Sequence, residues 1–342
     1  MNSKAIFFIL AMVLGNPLYA QKTEAGFLFA SNEPLELSLA YSFRMLSNNK
    51  IDSLYYPTFL YYKNGEESWD SIKVDLQARG NFRRNHCFYA PLRIEINKKE
   101  SKGTLFEGHK SLKLVLPCET SKNNSDLVLK EYLCYQLYQS ITPYSYRARL
   151  ATINLTNLRD KQPKTYEVKA FFIENNGSLA KRVGGKMTKV VKISPFLLQD
   201  TAAVRMDFFQ FMIANTDWSM INQHNIRIVQ TALNDKIPVP YDFDMSGFID
   251  APYSQVSEIL PISHVRERLY RGLCRDEALM EYVRKDFILR EPDIMDAFKS
   301  IETQINPREL PVMKKYIGEF FEILKDDRRY KSNILQKCRT IQ

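Results

Sequence analysis

Asn215-Thr216-Asp217-Trp218-Ser219-Met220-Ile221-Asn222-Gln223-His224-Asn225, then Ile226-Arg227-Ile228-Val229, then Ile237-Pro238-Val239-Pro240-Tyr241-Asp242-Phe243-Asp244-Met245-Ser246-Gly247, is the stretch on which the reading of this 342-residue chain turns. It concentrates carboxylates and carboxamides beside strand and turn signals. In phosphoryl transfer, one Asp positions or deprotonates the acceptor hydroxyl, while an Asn and a second Asp hold the divalent metal that bridges the phosphates. Asp217, Asn225 and Asp242 follow that chain order. Asn225 opens a short strand, and Asp242 lies just beyond the next. Asn222 is a second candidate for the metal-holding Asn, because Asp217 to Asn222 has the D-x4-N spacing; the place of Asn225 directly ahead of the strand favours Asn225. The structural alternative is an Asp217 that caps a helix and an Asn225 in a turn. Trp218 and Phe243 read as core.

Ahead of this stretch the chain alternates like sheet. Leu35, Leu37 and Leu39 share one strand face, and Ile72, Val74, Leu76 and Ala78 share another that runs into Arg79-Gly80-Asn81. Leu92, Ile94 and Ile96, then Leu112, Leu114 and Leu116, mark two more strands, expected to be antiparallel. Leu129, Leu133, Leu137 and Ile141 then recur every fourth residue, which predicts an amphipathic helix behind Ser125 or Asp126 as N-cap. Strands follow near 147–155 and 166–173. From Phe196 the pattern is mostly helical, with a helix stopping near Ala214-Asn215, and past Ser263 it reads helical to the end. The class is therefore α+β, a β-rich first half with one helix and a mainly helical second half.

The first half then makes sense as a nucleotide lid. In kinase-like lids a strand Lys touches the α- and β-phosphates and pairs with a helix Glu. Lys113 in mid-strand and Glu131 early in the helix are the candidate pair, with Lys130 and Arg93 as substitutes. The loop after Gly80 has one glycine, so Arg79 and backbone N–H groups are what it offers to phosphate.

At the N-terminus, Lys4 precedes the apolar run 5–14, and Leu18-Tyr19-Ala20 suits cleavage before Gln21. This predicts a signal peptide, a secreted or periplasmic mature chain, and no membrane span after cleavage. The formal charge is +9, but bases and acids are interspersed. The cluster Arg79, Arg83, Arg84 and His86 reads as a solvated basic face, and no nucleic-acid partner is expected. Five widely spaced cysteines, Cys87, Cys118, Cys134, Cys274 and Cys338, argue against zinc; an exported chain could form a disulfide among them, whose pairing the sequence does not give, but they read mainly as packing, and an odd count leaves at least one thiol over.

With Arg79-Gly80-Asn81, Phe171-Phe172-Ile173-Glu174, Asn215 to Ser219, His224-Asn225 and Pro240 to Asp244 in this order, the chain resembles the CotH family of secreted, atypical kinase-like proteins, in particular a branch seen as exported proteins in Bacteroidetes. The resemblance implies a two-lobed protein-kinase-like fold, with a β-rich lobe over 21–174 and a helical lobe over 175–342. It also implies ATP with Mg²⁺ or Mn²⁺, and phosphorylation of an extracytoplasmic protein. By position Asp217 would be the catalytic Asp, Asn225 and Asp242 the metal ligands, and Tyr166 to Glu174 the strand leading to the adenine hinge. AMP transfer and a non-catalytic envelope scaffold are the alternatives. A further rival places Asp242, Asp244, Ser246, Gly247 and Asp250 in a calcium loop, though Tyr253 stands where a bidentate Glu belongs.

Overall fold

Each of the first seven strands buries alternate residues, and that alternation closes them on a common interior. In the computed structural model, which describes residues 27–48, 54–63, 68–80, 82–159, 162–189 and 192–340, these strands are β1 (Leu35–Tyr41), β2 (Tyr56–Lys63), β3 (Asp70–Ala78), β4 (Leu92–Ile96), β5 (Ser111–Val115), β6 (Ala148–Asn157) and β7 (Lys164–Ile173). They form a closed barrel in the order β1-β2-β3-β4-β5-β7-β6. β1 runs parallel to β6, with Leu35 opposite Ala151 and Tyr41 opposite Asn157, and every other pairing is antiparallel. Leu76 faces Ile94, and Ile94 faces Leu112, so these buried side chains stack across three strands into the interior. The signal-peptide reading, 1–20 with cleavage at Ala20-Gln21, lies outside the described residues.

This barrel corrects the expected two-lobed protein-kinase-like fold: the α+β class stands, but the first half is a closed seven-stranded barrel and not the β-rich lobe of a kinase. β2 was not foreseen, because its outer face carries Phe59 and Tyr61, both exposed, which hides the apolar alternation. With β2 in place on one side of β1 and β6 on the other, the sheet has no free edge.

Short helices α1 (Phe43–Asn48), α2 (Phe82–His86) and α3 (Lys98–Ser101) punctuate the barrel, and α4 (Lys122–Ile141) leads from β5 to β6. Ser121 occupies the cap position of α4, one turn ahead of the expected Ser125 or Asp126. Leu129, Leu133, Leu137 and Ile141 are buried as expected, but so are Tyr132, Cys134, Tyr135 and Tyr138 on the other faces. α4 is thus covered all round, packed between the outer face of β6 and β7 (Leu150, Phe171, Ile173) and the second half. The second half holds α5 (Asn176–Arg182), β8 (Gly185–Met187), α6 (Asp200–Met212), β9 (Ile226–Thr231), β10 (Lys236–Pro240), α7 (Glu277–Leu289), α8 (Glu291–Asp296), α9 (Glu309–Lys325) and α10 (Asp327–Tyr330). β10, β9 and β8 make a small antiparallel sheet. Between Ser263 and α7 the chain is not helical, which corrects the helical reading there.

Disulfides join Cys87 to Cys118 and Cys274 to Cys338, and Cys134 is a buried free thiol. Four of the five cysteines are therefore cross-links, which corrects their reading as packing. Among the described residues no helix is long and apolar enough to cross a membrane.

Candidate functional site

The loop after α6 is built by side chains that bond their own backbone. α6 ends on Ala214, left-handed at φ 47°, and the Asn215 amide bonds the Gln210 carbonyl at 2.8 Å. Asn215 Oδ1 accepts from the Asp217 amide at 3.0 Å, and the Asn215 carbonyl accepts from Trp218 Nε1 at 3.0 Å, so Trp218 anchors the loop in the core. Ser219 and His224 pair as an antiparallel bridge. That bridge folds His224 back, and its Nε2 lies 2.9 Å from Asp217 Oδ1. Asn225, left-handed at φ 53°, donates Nδ2 to the Asp217 carbonyl at 2.8 Å and to Asp217 Oδ2 at 3.0 Å.

The Asn225 carbonyl in turn accepts from the Tyr241 amide at 3.0 Å, which fixes the end of β10 against the loop. Asp242 follows at φ 64°, and its amide donates to the Tyr135 hydroxyl of α4 at 3.1 Å. Ala214, Gln223, Asn225 and Asp242 all hold left-handed backbone around this one place. Such residues cost roughly 1–3 kcal/mol each, and they collect where a site must be aimed.

Facing the carboxylates is a set of cations. Arg93 of β4 stands opposite Lys113 of β5 on the outer face of the barrel, Arg79 directly follows β3, and Arg227 comes from β9. All four line the same cleft of about 450 Å³ as Asp217, Asn225 and Asp242. Lys113 Nζ and the Arg227 guanidinium each lie 4.9 Å from the Tyr241 ring centre. Burial, then repulsion from Arg79, lowers the Lys113 pKa to about 7, with Arg227 and Arg93 adding to the effect and Asp242 opposing it. A second cleft of about 500 Å³ shares Arg93 and Lys113 and continues to Asn175 and Ser178 at the start of α5.

The expected Lys113–Glu131 pair is replaced by a different one. Arg83 lies 3.6 Å from Glu131 and 3.9 Å from Asp244, all three side chains are nearly buried, and the Tyr253 hydroxyl donates to Asp244 at 3.2 Å. Arg83 is in α2, which the Cys87–Cys118 bridge ties to the end of β5, and it also donates to the Leu116 carbonyl. Burial works against the Arg83 charge, but Tyr253, Glu131, Asp244 and Asp242 outweigh it and the guanidinium pKa is raised. Burial and the neighbouring carboxylates push both Glu131 and Asp244 upward, with Arg83 restraining them. The basic cluster read as solvated thus contains a buried cation, and nothing in its sequence distinguishes Arg83 from Arg84.

Of the remaining candidates, Asn222 is exposed in the turn, with its amide on Ser219 Oγ at 3.3 Å, away from the cleft. Glu174 is buried, and its carboxylate is held by Arg182 at 2.8 Å and the Arg147 amide at 3.1 Å, so it ties β7 to α5. Lys130 pairs with Glu309 at 2.7 Å. Asp250, needed for the calcium-loop rival, turns to Arg266 at 3.5 Å, and a strand, not a helix, precedes Asp242. Sequence reading missed Arg83 and Arg227 as site residues, offered Asp244 to the calcium-loop rival, and left His224 without a role. For His224 the signal was its place beside Asn225.

Among the described residues no three His, Cys, Asp or Glu side chains converge to hold a metal ion by themselves. The donors at the cleft are nevertheless oxygens: the Asp242 carboxylate, and the Asn225 carboxamide whose Nδ2 is committed to Asp217. One carboxylate and one carboxamide suit a hard divalent cation that takes its other ligands from substrate phosphates and water, as Mg²⁺ does. The donor set fits Mg²⁺ or Mn²⁺ in company with a nucleotide. Compared with family models, curated proteins and solved structures, the chain matches none.

Proposed function

We propose that this chain is a metal- and ATP-dependent phosphotransferase that modifies a protein outside the cytoplasm. The observation that carries the reading is the facing of Asp217, Asn225 and Asp242 by Lys113, Arg79, Arg93 and Arg227 across one cleft. A cation set of this density suits a triphosphate, because charge-assisted bonds from Arg and Lys are the strong ones and several are needed to balance it. The adjoining cleft leaves room for the rest of a nucleotide beyond Lys113. The motif order that resembles the CotH family points to the same chemistry. Two disulfides support an oxidising compartment, since such cross-links persist outside the cytosol.

In this reading Asp217 receives the acceptor hydroxyl's proton. His224 at Oδ1 and Asn225 at Oδ2 hold the carboxylate in a single orientation. Asp242 and Asn225 would hold the metal, which supplies charge neutralisation at the phosphate oxygens. Lys113 and the three arginines bind and align the phosphates, so the chain's work is positioning and electrostatics.

The test is label transfer by the mature protein with Mg²⁺ or Mn²⁺, using ATP labelled at the γ- or the α-phosphate. Label from the γ position onto an envelope extract, reduced about 1000-fold or more in Asp242→Asn, which keeps a residue suited to the left-handed backbone, with an unchanged melting temperature, is the expected result. Label from the α position alone would make the protein an AMP transferase. No label from either, with no shift of melting temperature by ATP, would leave the non-catalytic scaffold.

A further inference from the structure

A separate pocket of about 100 Å³ borders the Asp217 loop, lined among others by Pro195, Trp218, Ser219, Arg271, Arg339 and Thr340. Its two guanidiniums come from distant parts of the chain. Arg271 donates to the Thr216 carbonyl, and to the Trp218 carbonyl at 3.3 Å, so it braces the residues on either side of Asp217. Arg339 is brought there by the chain terminus, which pairs with Leu273 as a parallel bridge. The Arg339 amide donates to the Gly272 carbonyl at 2.9 Å, and its carbonyl accepts from the Cys274 amide at 3.0 Å. The Cys274–Cys338 disulfide locks this pairing one residue away.

Among the described residues no Asp or Glu lines the pocket. The nearby Asp207 is buried, and its burial pushes its pKa well up while Arg339 and Arg275 pull it back down. Burial and then Arg339 lower the Arg271 pKa, with the Asp217 carboxylate opposing them, so the two guanidiniums lie within electrostatic reach of each other. Two arginines facing one small cavity make a fork for a carboxylate or phosphate group.

We propose that this pocket binds an anionic side chain of the acceptor protein, a few residues from the hydroxyl presented to Asp217. The pocket wall includes Trp218, the residue after Asp217, so a segment with its hydroxyl at Asp217 passes the pocket within a few residues at about 3.3 Å per extended residue. The proposal rests on the phosphoryl-transfer reading for its purpose, but binding is measurable without transfer. Glu, Asp and phosphoserine share the required chemistry.

The experiment uses fluorescein-labelled peptides with one Ser and, at each flanking position in turn, Glu, Gln, Lys or phosphoserine. Their binding to the disulfide-intact protein is followed by anisotropy, and transfer by label. The expected result is at least tenfold tighter binding of the Glu or phosphoserine peptide than of its Gln counterpart at one register. That preference collapses in Arg339→Ala and reverses toward a Lys peptide in Arg339→Glu. Arg339 is exposed, and an unchanged melting temperature of each variant, with Arg339→Gln as the neutral control, separates lost binding from lost folding. Stronger binding of phosphoserine than Glu would mark the acceptor as already phosphorylated. Equal binding of Glu, Gln and phosphoserine peptides, or a preference untouched by Arg339→Glu, overturns the pocket whether or not transfer occurs. A charge-dependent preference in a protein that transfers no label supports the pocket and removes only the phosphoryl-transfer reading.

Discussion

Along β4 and β5 the residues that point into the barrel, Leu92, Ile94, Leu112 and Leu114, are buried hydrocarbons, whereas Arg93 and Lys113 between them point outward over the cleft. One face of these strands is excluded from water and fixes position. The other is lined with like charges that repel one another and wait on an anion. The same backbone register serves both, because successive side chains of a strand alternate in direction. Phe171 and Phe172 repeat the division on β7: Phe172 enters the barrel core, while Phe171 packs on α4.

The comparison breaks most sharply at Arg83, which with Glu131 and Asp244 puts charges of the cleft side in the buried interior. Arg83→Met leaves Glu131 and Asp244 without their cation, and should destabilise the fold by about 3–5 kcal/mol, read as a drop in urea midpoint. Raising acidity should then restore part of the loss, because both carboxyls are already pushed upward and protonate readily. Next is Leu114→Ala, expected to cost about 2–5 kcal/mol while nucleotide affinity of the folded protein stays within twofold, measured by chemical denaturation and calorimetry. If affinity falls in step with stability, the two faces are not independent.

His109 sharpens the contrast from the interior side. It is buried with neither ring nitrogen hydrogen-bonded, against Phe29 at 5.4 Å, and burial lowers its pKa to about 4. The unfolded chain binds a proton there between pH 6.5 and 4 that the folded chain does not. Its contribution to stability is thus present above pH 6.5 and lost as pH falls toward 4, by about 3 kcal/mol. His109→Leu should flatten the stability profile over that window, with little change at pH 8.

The smallest effect concerns Lys113, whose pKa sits near 7 on the cleft face. Above pH 7 a bound nucleotide must draw a proton onto Lys113. Affinity should weaken by up to about tenfold per pH unit there, with proton uptake visible as a buffer-dependent binding enthalpy. Lys113→Met should bind more weakly at pH 6 and lose the pH dependence. An unchanged slope would place the nucleotide away from Lys113.

What the chain determined by itself is what neighbouring residues decide. Period-two alternation located β1, β3, β4 and β5, period-four leucines located α4, and the order of Asp217, Asn225 and Asp242 located the cleft's acidic side. Asn225 could be preferred to Asn222 because the strand that follows it is itself legible. Tertiary structure alone decided the rest. β1 meets β6 across more than a hundred residues, and that parallel pairing, with the aromatic-faced β2, turned an expected kinase-like lobe into a closed barrel. Likewise Glu131 found Arg83 instead of Lys113, and Arg339 reached the Asp217 loop from the far end of the chain. Local pattern records which side of an element faces water. It carries no information on which distant charge will share a buried site, because that is set by how the closed barrel, α4 and the two disulfides bring the chain back on itself.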